Sequence, residues 1–424
     1  MTIVDTRYTI ERSPSLLRRL WPALDATSLV IVLAWAYVVL PRLVQSAVAA
    51  KHRATVGDPV PESPLAAQTE LALTAALALC CGLVLLTRSV RQLPTTRRTA
   101  LLALLAPWVF LVVRDIYLDR LPGAGALLFP MLVITLWALQ PPVERLALLG
   151  WLVGATAALA MLMGYYVPHR GIYISAGGDY VDPDKQLLPI GILIGPFTDG
   201  NNLAQFLVIG FAAIGFVRRP GWRLLLAALT ASALIWTSSR SSLLALVVGL
   251  VTVCGLLFAQ RRFRPTWTVL GVGATALAVA APPLFTTDPA AFTNRGAIWQ
   301  ASLHAWQSQP LIGLGSRWYS EVGDYAAGLG GFAFHGHNQF VQTLVYGGLV
   351  YLLLTTGLLG AVTTAAARLS ASVSILPAAY LVVLLVSCTQ EVSFGVVDRG
   401  FLLCVTVLPI AVITFAPQPP PGSE

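Results

Sequence analysis

The sequence predicts an all-α membrane protein, a polytopic bundle of about 12 transmembrane helices with a helical loop on the extracytoplasmic side. Three observations lead there. The 424-residue chain is 56% hydrophobic and only 11% charged, with a mean hydropathy of +0.75, a balance that would not keep domains of this size in solution. Its apolar residues arrive in a dozen blocks bounded by Arg, Pro or Gly clusters, each about 13 to 20 residues long, as suits helices crossing a core of about 30 Å. A transmembrane barrel is excluded, because its strands would alternate every second residue.

The elements follow in chain order. Thr27–Val44 comes behind Arg7, Arg12, Arg18 and Arg19, and Pro41 to Val44 offers no small-residue cleavage site, so it reads as a retained first helix. Leu71–Leu86 is closed by Arg88 and Arg91, Ala100–Val113 opens behind Arg97 and Arg98, and Leu121–Leu139 stops before Pro141. Leu146–Met163 and Leu203–Val217 come next, and Arg218, Arg219 and Arg223 lie before Leu224–Trp236. Leu243–Phe258 and Trp267–Phe285 flank Arg261, Arg262 and Arg264; Phe340–Ala366, Val373–Ser387 and Phe401–Phe415 complete the set. Several blocks fall short of about 20 residues, so their ends must extend into flanking polar sequence. The Pro-rich stretch Gln418 to Pro421 reads as a disordered end.

With the N-terminus on the cytoplasmic side, 16 of the 27 basic residues fall inside and 14 of the 19 acids outside. The positive-inside rule is satisfied, and a shift of one helix would invert it. The expectation is a multi-pass protein of the plasma (inner) membrane with both termini cytoplasmic. The net charge of +8 points to no nucleic acid, since the basic residues recur singly between blocks and serve as topology signals. Cys80, Cys81, Cys254, Cys388 and Cys404 lie inside apolar blocks without metal-ligand spacing and read as core packing.

Polar chemistry gathers at the outer ends of three descending helices. The clusters are Thr198-Asp199-Gly200-Asn201-Asn202, Thr237-Ser238-Ser239-Arg240-Ser241-Ser242 and His335-Gly336-His337-Asn338. A helix N-terminus carries unpaired N–H groups and about half a positive charge, so neighbouring ends of this kind would attract an anion. Arg240 reads either as an anchor that snorkels to headgroups or as a phosphate clamp. Arg295 has the same two readings, and Arg317 is a weaker candidate. An imidazole has an ordinary pKa of about 6.5, which makes His337 the best general base on this face. His335 reads equally well as a loop contact, and His52 and His169 as surface residues. Asn338 is most simply the cap of the helix behind it. Asp199, Glu391 and Asp398 are outer-edge carboxylates that would orient a histidine or a sugar, or else pair with Arg399 or a helix end.

The longest outer segment runs from Thr286 to Asn338. In it Trp299, Leu303 and Trp306 recur at helical spacing before Pro310, which describes an amphipathic helix on the membrane surface with its indoles at headgroup level. It reads either as a plug over the bundle or as a wall of a substrate site. The chain lacks a P-loop, a GxGxxG ahead of a strand and an HExxH, so cytoplasmic nucleotide chemistry is not indicated. No acid falls mid-helix in this threading, which weakens a proton-coupled transporter.

In order and spacing, several segments resemble the O-antigen ligase and polymerase superfamily. They are Gly195-Pro-Phe-Thr-Asp-Gly-Asn-Asn-Leu-Ala, Thr237-Ser-Ser-Arg-Ser-Ser-Leu-Leu-Ala-Leu, Asn294-Arg-Gly-Ala-Ile-Trp leading to Pro310-Leu-Ile-Gly-Leu-Gly, and His337-Asn338 followed by Gly348 and Tyr351. The last element is particularly like the ligase branch. The resemblance implies a membrane glycosyltransferase that uses neither metal nor cofactor. Its partners would be a polyprenyl-diphosphate-linked glycan donor and a glycan or glycolipid acceptor, met at an extracytoplasmic site. The family's two essential arginines would fall on Arg240 and Arg295 and its histidine on His337. Asn338, Asn202, Asp199, Ser239, Trp299, Arg317 and His335 complete the candidate substrate-binding set. Residues 1–194 would then form a scaffold and the groove for the carrier lipid, 195–366 the motif-bearing region with the outer loop 286–338, and 367–424 the C-terminal helices and tail. Two rival readings share many of these features, a lipid-linked glycan flippase and a protein O-oligosaccharyltransferase; a structural subunit of polysaccharide assembly is a third.

Overall fold

The computed structural model describes residues 25–48, 62–87, 94, 96–173, 186–322 and 335–417. The basic N-terminal segment, Arg88, Arg91, His52 and the Pro-rich tail lie outside these residues. All regular structure among the described residues is helical, the sole extended pairing being an isolated bridge between Ile172 and Leu193. The helices are α1 (Ala26–Val48), α2 (Pro64–Thr87), α3 (Arg98–Tyr117), α4 (Leu128–Leu139), α5 (Leu146–Tyr166), α6 (Gly200–Ile214), α7 (Pro220–Trp236) and α8 (Arg240–Phe258). They continue as α9 (Arg264–Phe285), α10 (Ala291–Trp306), α11 (Gln339–Ser372), α12 (Leu376–Ser387) and α13 (Val407–Phe415), with single helical turns at Pro168–Gly171 and Trp318–Val322.

Among the described residues, seven helices are long and apolar enough to cross a membrane: α1, α2, α3, α5, α8, α9 and α11, counting the short turns that lead into α5 and α9. Seven of the twelve expected spans thus meet the length and hydropathy of a membrane-crossing helix on their own. Every expected block contains a helix, but α4 with its leading turn, α6, α7 and α12 are shorter apolar helices, and α13 has nine residues. At 1.5 Å per residue, nine residues cover about 14 Å, half of a hydrocarbon core. The short helices survive because protein encloses them: every residue of α13 and ten of the twelve in α12 are buried. The long α2, α8 and α9 instead keep most of their surface outward, and leucines such as Leu79, Leu244 and Leu277 suit a lipid-facing wall. Four of the five cysteines are buried as expected, whereas Cys254 is exposed on α8.

Two packing features position the functional end of the molecule. Helices α8 and α12 run antiparallel, with Leu256 against Ile375 and Ala378 at one end and Gly249 so close to Val383 that a Cβ there would lie 2.4 Å from its methyl. Two more turns in this register bring Arg240, the first residue of α8, level with the chain that leaves α12 at Cys388. The second feature is a break in α11. Gly348 adopts φ 63° and ψ −157°, a conformation open to glycine and strained for other residues. The segment Pro310 to Gly315 fills the gap: Pro310 and Leu311 carbonyls accept from the N–H groups of Leu349 (2.9 Å) and Val350 (3.0 Å), and Leu314 and Gly315 donate to the carbonyls of Val345 (2.7 Å) and Tyr346 (3.0 Å). Arg114 at the end of α3 locks this clamp by donating to the Ile312 and Gly313 carbonyls at 3.1 and 2.7 Å.

Candidate active site

The start of α11 and the chain that follows α12 are fastened to each other. Asn338 has extended backbone angles, and its side-chain oxygen accepts from the N–H groups of Phe340 (2.9 Å) and Val341 (3.1 Å), which makes it the expected N-cap. Its amide also donates to the carbonyls of Val279 and Thr389, both at 2.8 Å. Next to it, Gln339 donates its backbone N–H to the Cys388 carbonyl at 3.0 Å and accepts from the Phe394 N–H at 3.1 Å. Two short polar side chains thus pin residues 388–394 across the mouth of α11.

This fastening delivers Glu391 into a cluster of three basic side chains. The Arg295 guanidinium pairs with Glu391 Oε1 at 2.6 Å and donates as well to the Gln390 carbonyl. Glu391 Oε2 faces His337 Nδ1 at 3.7 Å and His335 Nε2 at 3.9 Å. The two imidazoles lie 3.9 Å apart. His337 takes a left-handed backbone conformation, φ 45°, and its N–H donates to His335 Nδ1 at 2.9 Å, so the turn itself brings the rings together, tilted by 41°. Burial pushes the Glu391 carboxyl upward, but the adjoining His337 ring and the Arg295 guanidinium outweigh it and hold the group below its usual range. Burial first, then Arg399, His337 and Arg295, drive His335 well below an ordinary imidazole, and His335 is neutral at neutral pH. Asp398 is pushed up by burial against the opposing Arg399, and accepts from Tyr346 at 3.1 Å.

Among the described residues, His335, His337 and Glu391 each offer a ligand atom within 4.8 Å of the others. The hydrogen bonding suits a proton better than a cation. Since His335 Nδ1 accepts the His337 N–H, the neutral ring carries its hydrogen on Nε2, the atom that faces Glu391. A metal there would have to displace that proton beside the positive charge of Arg295.

The structure brings Arg295, His335, His337 and Asn338 together around Glu391. Arg240 opens α8 as an exposed residue at the same end of the bundle. Ser239 stands at the start of α8 without capping it, bonded instead to Ser242 at 3.1 Å. Asp199 accepts from the Asn201 N–H at 2.6 Å and so caps α6, with Asn202 half-buried in its first turn. The N-terminus of α6 abuts the second cluster, because a Cβ on Gly200 would lie 3.1 Å from the Thr237 carbonyl, and Gln205 one turn on accepts from Ser393 at 3.2 Å.

Three expectations are corrected. Trp299 does not present its indole to the surroundings: it is fully buried, packed on Phe292 at 5.3 Å. The cause is that α10 leaves helical geometry at Phe292–Asn294, all with positive φ, so its regular part starts at Arg295 and turns the indole inward. Arg317 faces away from the cluster and donates to the Leu121 carbonyl as a strut of the outer loop. Glu391 pairs with Arg295 and not with Arg399, whose ion-pair contact is with Asp398 at 3.9 Å. Glu391 is also the residue that sequence reasoning undervalued. Its signal was a lone acid between Cys388 and Phe394 in otherwise uncharged sequence, where a charge demands a partner.

Comparison with curated proteins finds no match. Residues 224–356, the stretch that holds Arg240, Arg295, His335, His337, Gly348 and Tyr351, match the family described as O-antigen ligase, which supports the resemblance to the O-antigen ligase and polymerase superfamily.

Proposed function

We propose that the protein transfers a glycan from a polyprenyl diphosphate carrier to an acceptor hydroxyl on the outer side of the membrane, as a ligase or polymerase of this superfamily. The observation that carries the reading is Glu391 held between Arg295 and His337 inside the segment that matches the family. With Glu391 ionised, a hydrogen on His337 Nδ1 points at the carboxylate and leaves the Nε2 lone pair for the acceptor. The arrangement parallels the acid that orients a catalytic histidine in hydrolases. His337 takes the hydroxyl proton as the acceptor oxygen attacks the anomeric carbon. The bond from that carbon to the phosphate oxygen breaks, and its electron pair leaves with the polyprenyl diphosphate. One such displacement inverts the anomeric centre. Arg295 binds Glu391 and Gln390 through two of its five N–H groups and has others for the departing phosphate, with Arg240 as its counterpart at the head of α8. Because a diphosphate is a good leaving group, positioning and charge compensation carry most of the catalysis.

Reconstitution tests this. The purified protein in liposomes is given an undecaprenyl diphosphate glycan with and without glycolipid acceptors, beside Arg240→Ala, Arg295→Ala and His337→Ala. The parent protein is expected to form product, and His337→Ala to lose about a hundredfold or more of the rate. Product made without a second kind of acceptor indicates polymerisation. Turnover undiminished in all three variants overturns the site, and flipping of the lipid without a new glycosidic bond favours a transporter.

A further inference from the structure

Between α9, α11 and α12 lies a groove with about 830 Å³ of empty space, part of it open to its surroundings. Its walls are apolar, with Ala276 and Val279 on α9, Leu358 and Val362 on α11, and Leu381 and Leu384 on α12. Lining residues come from both sides of the Gly348 break, so the bend in α11 shapes it. Three threonines in the lining, Thr343, Thr355 and Thr356, donate their hydroxyls to carbonyls of their own helix at 2.7 to 2.8 Å. The groove therefore asks for a hydrocarbon.

Its rim says which hydrocarbon. Gln339 and Cys388 line the groove and are bonded to each other across it, backbone N–H to carbonyl at 3.0 Å. The first is two residues from His337 and the second three from Glu391. The groove thus begins where the charged cluster ends. In a polyprenyl diphosphate the first isoprene unit is bonded directly to the phosphate, so its chain must leave the site next to the residues that hold the anion. The acyl chains of an acceptor glycolipid are separated from the accepting hydroxyl by sugars and carry no such constraint. Resting on the function proposed above, we infer that this groove takes the phosphate-proximal isoprene units of the donor, and not the first five helices, where the sequence led us to expect the carrier's groove.

Two measurements on the purified full chain test it. In the first, Leu352→Trp and Leu385→Trp, which narrow the groove from half-buried positions, are compared with Leu353→Trp on the exposed face of α11. The readout is the ratio of kcat/KM for undecaprenyl diphosphate glycan to that for methyl diphosphate glycan, which has no isoprene unit to place in the groove. Displacing one isoprene unit forfeits the burial of several carbons, so the ratio is expected to fall about tenfold or more in the first two variants and to hold in the third. A ratio equal to the parent's in both groove variants overturns the groove. In the second, a benzophenone-bearing isoprenyl diphosphate is photolysed with the protein and the adducts are mapped, which needs no turnover. Adducts on α9, α11 or α12 groove residues support the inference even if no transfer is seen, whereas adducts confined to α1 to α5 overturn it. A parent protein that is labelled in the groove yet transfers glycan from neither donor counts against the proposed function alone.

Discussion

Glu391 gives its two oxygens different partners: Oε1 holds a guanidinium, and Oε2 faces two imidazoles. Removing its charge while keeping its shape should therefore loosen Arg295 and let His337 turn at once. Glu391→Gln is expected to lower kcat by about a hundredfold or more with a smaller effect on KM, measured as glycan transfer in liposomes; an unchanged kcat would remove Glu391 from the mechanism. His335 makes a different prediction. Its folded pKa lies well below its unfolded one, so below about pH 6.5 the unfolded chain binds a proton that the folded one refuses, and stability falls as pH falls. Melting followed between about pH 7.5 and 5.5 should show this decline, and His335→Gln should flatten it. The basic members of this cluster were legible in the sequence because histidine and arginine stand out in an apolar chain. Glu391 was visible as a residue, but its partner was not, because Arg295 is 96 positions away and spacing along the chain says nothing of such a contact.

At the scale of the element, α11 does two things that a continuous apolar block would not suggest. It begins on Asn338, whose amide also ties α11 to the Val279 and Thr389 carbonyls. Asn338→Asp keeps the capping oxygen but sets a charge against those carbonyls, so transfer should be lost while Asn338→Ala adds a stability cost of about 1 to 3 kcal/mol, read as a lower melting temperature. The helix then breaks at Gly348. A Cβ there would lie 2.4 Å from the Leu311 carbonyl carbon in a left-handed backbone. Gly348→Ala is expected to destabilise the protein by about 2 kcal/mol or more by opening the clamp of Pro310 to Gly315, and a variant that melts with the parent would show that the break is not required. In the sequence the Pro310 segment and Gly348 are among the segments that carry the family resemblance. In the structure the Pro310 segment and Gly348 complete each other's backbone hydrogen bonds, and the Glu391 cluster lies about three turns away, at the head of α11.

For the molecule as a whole, the charge asymmetry predicts its orientation. Single cysteines at exposed positions in a cysteine-free background, Ser308→Cys after α10 and Arg219→Cys before α7, should differ in whole cells. An impermeant maleimide is expected to label the first from outside and the second only after permeabilisation. The reverse pattern would put the Glu391 cluster in the cytoplasm and exclude an outward-facing donor site. The helices that are too short to span reinforce the same picture of the assembly, since α12 and α13 are enclosed by longer helices that meet the lipid.

By itself the sequence determined that the chain is helical, apolar and membrane-spanning, where its polar clusters fall, and which family its motifs resemble. These are properties of composition, local hydrogen bonding and short-range order, and they survive without knowledge of neighbours. Only the tertiary structure decided that Arg295 belongs to Glu391, that Trp299 turns inward, that Arg317 is a strut, and that α11 bends over an apolar groove. Each of those depends on contacts between residues distant in sequence, and a buried charge or a broken helix finds its partner through packing, not through spacing along the chain.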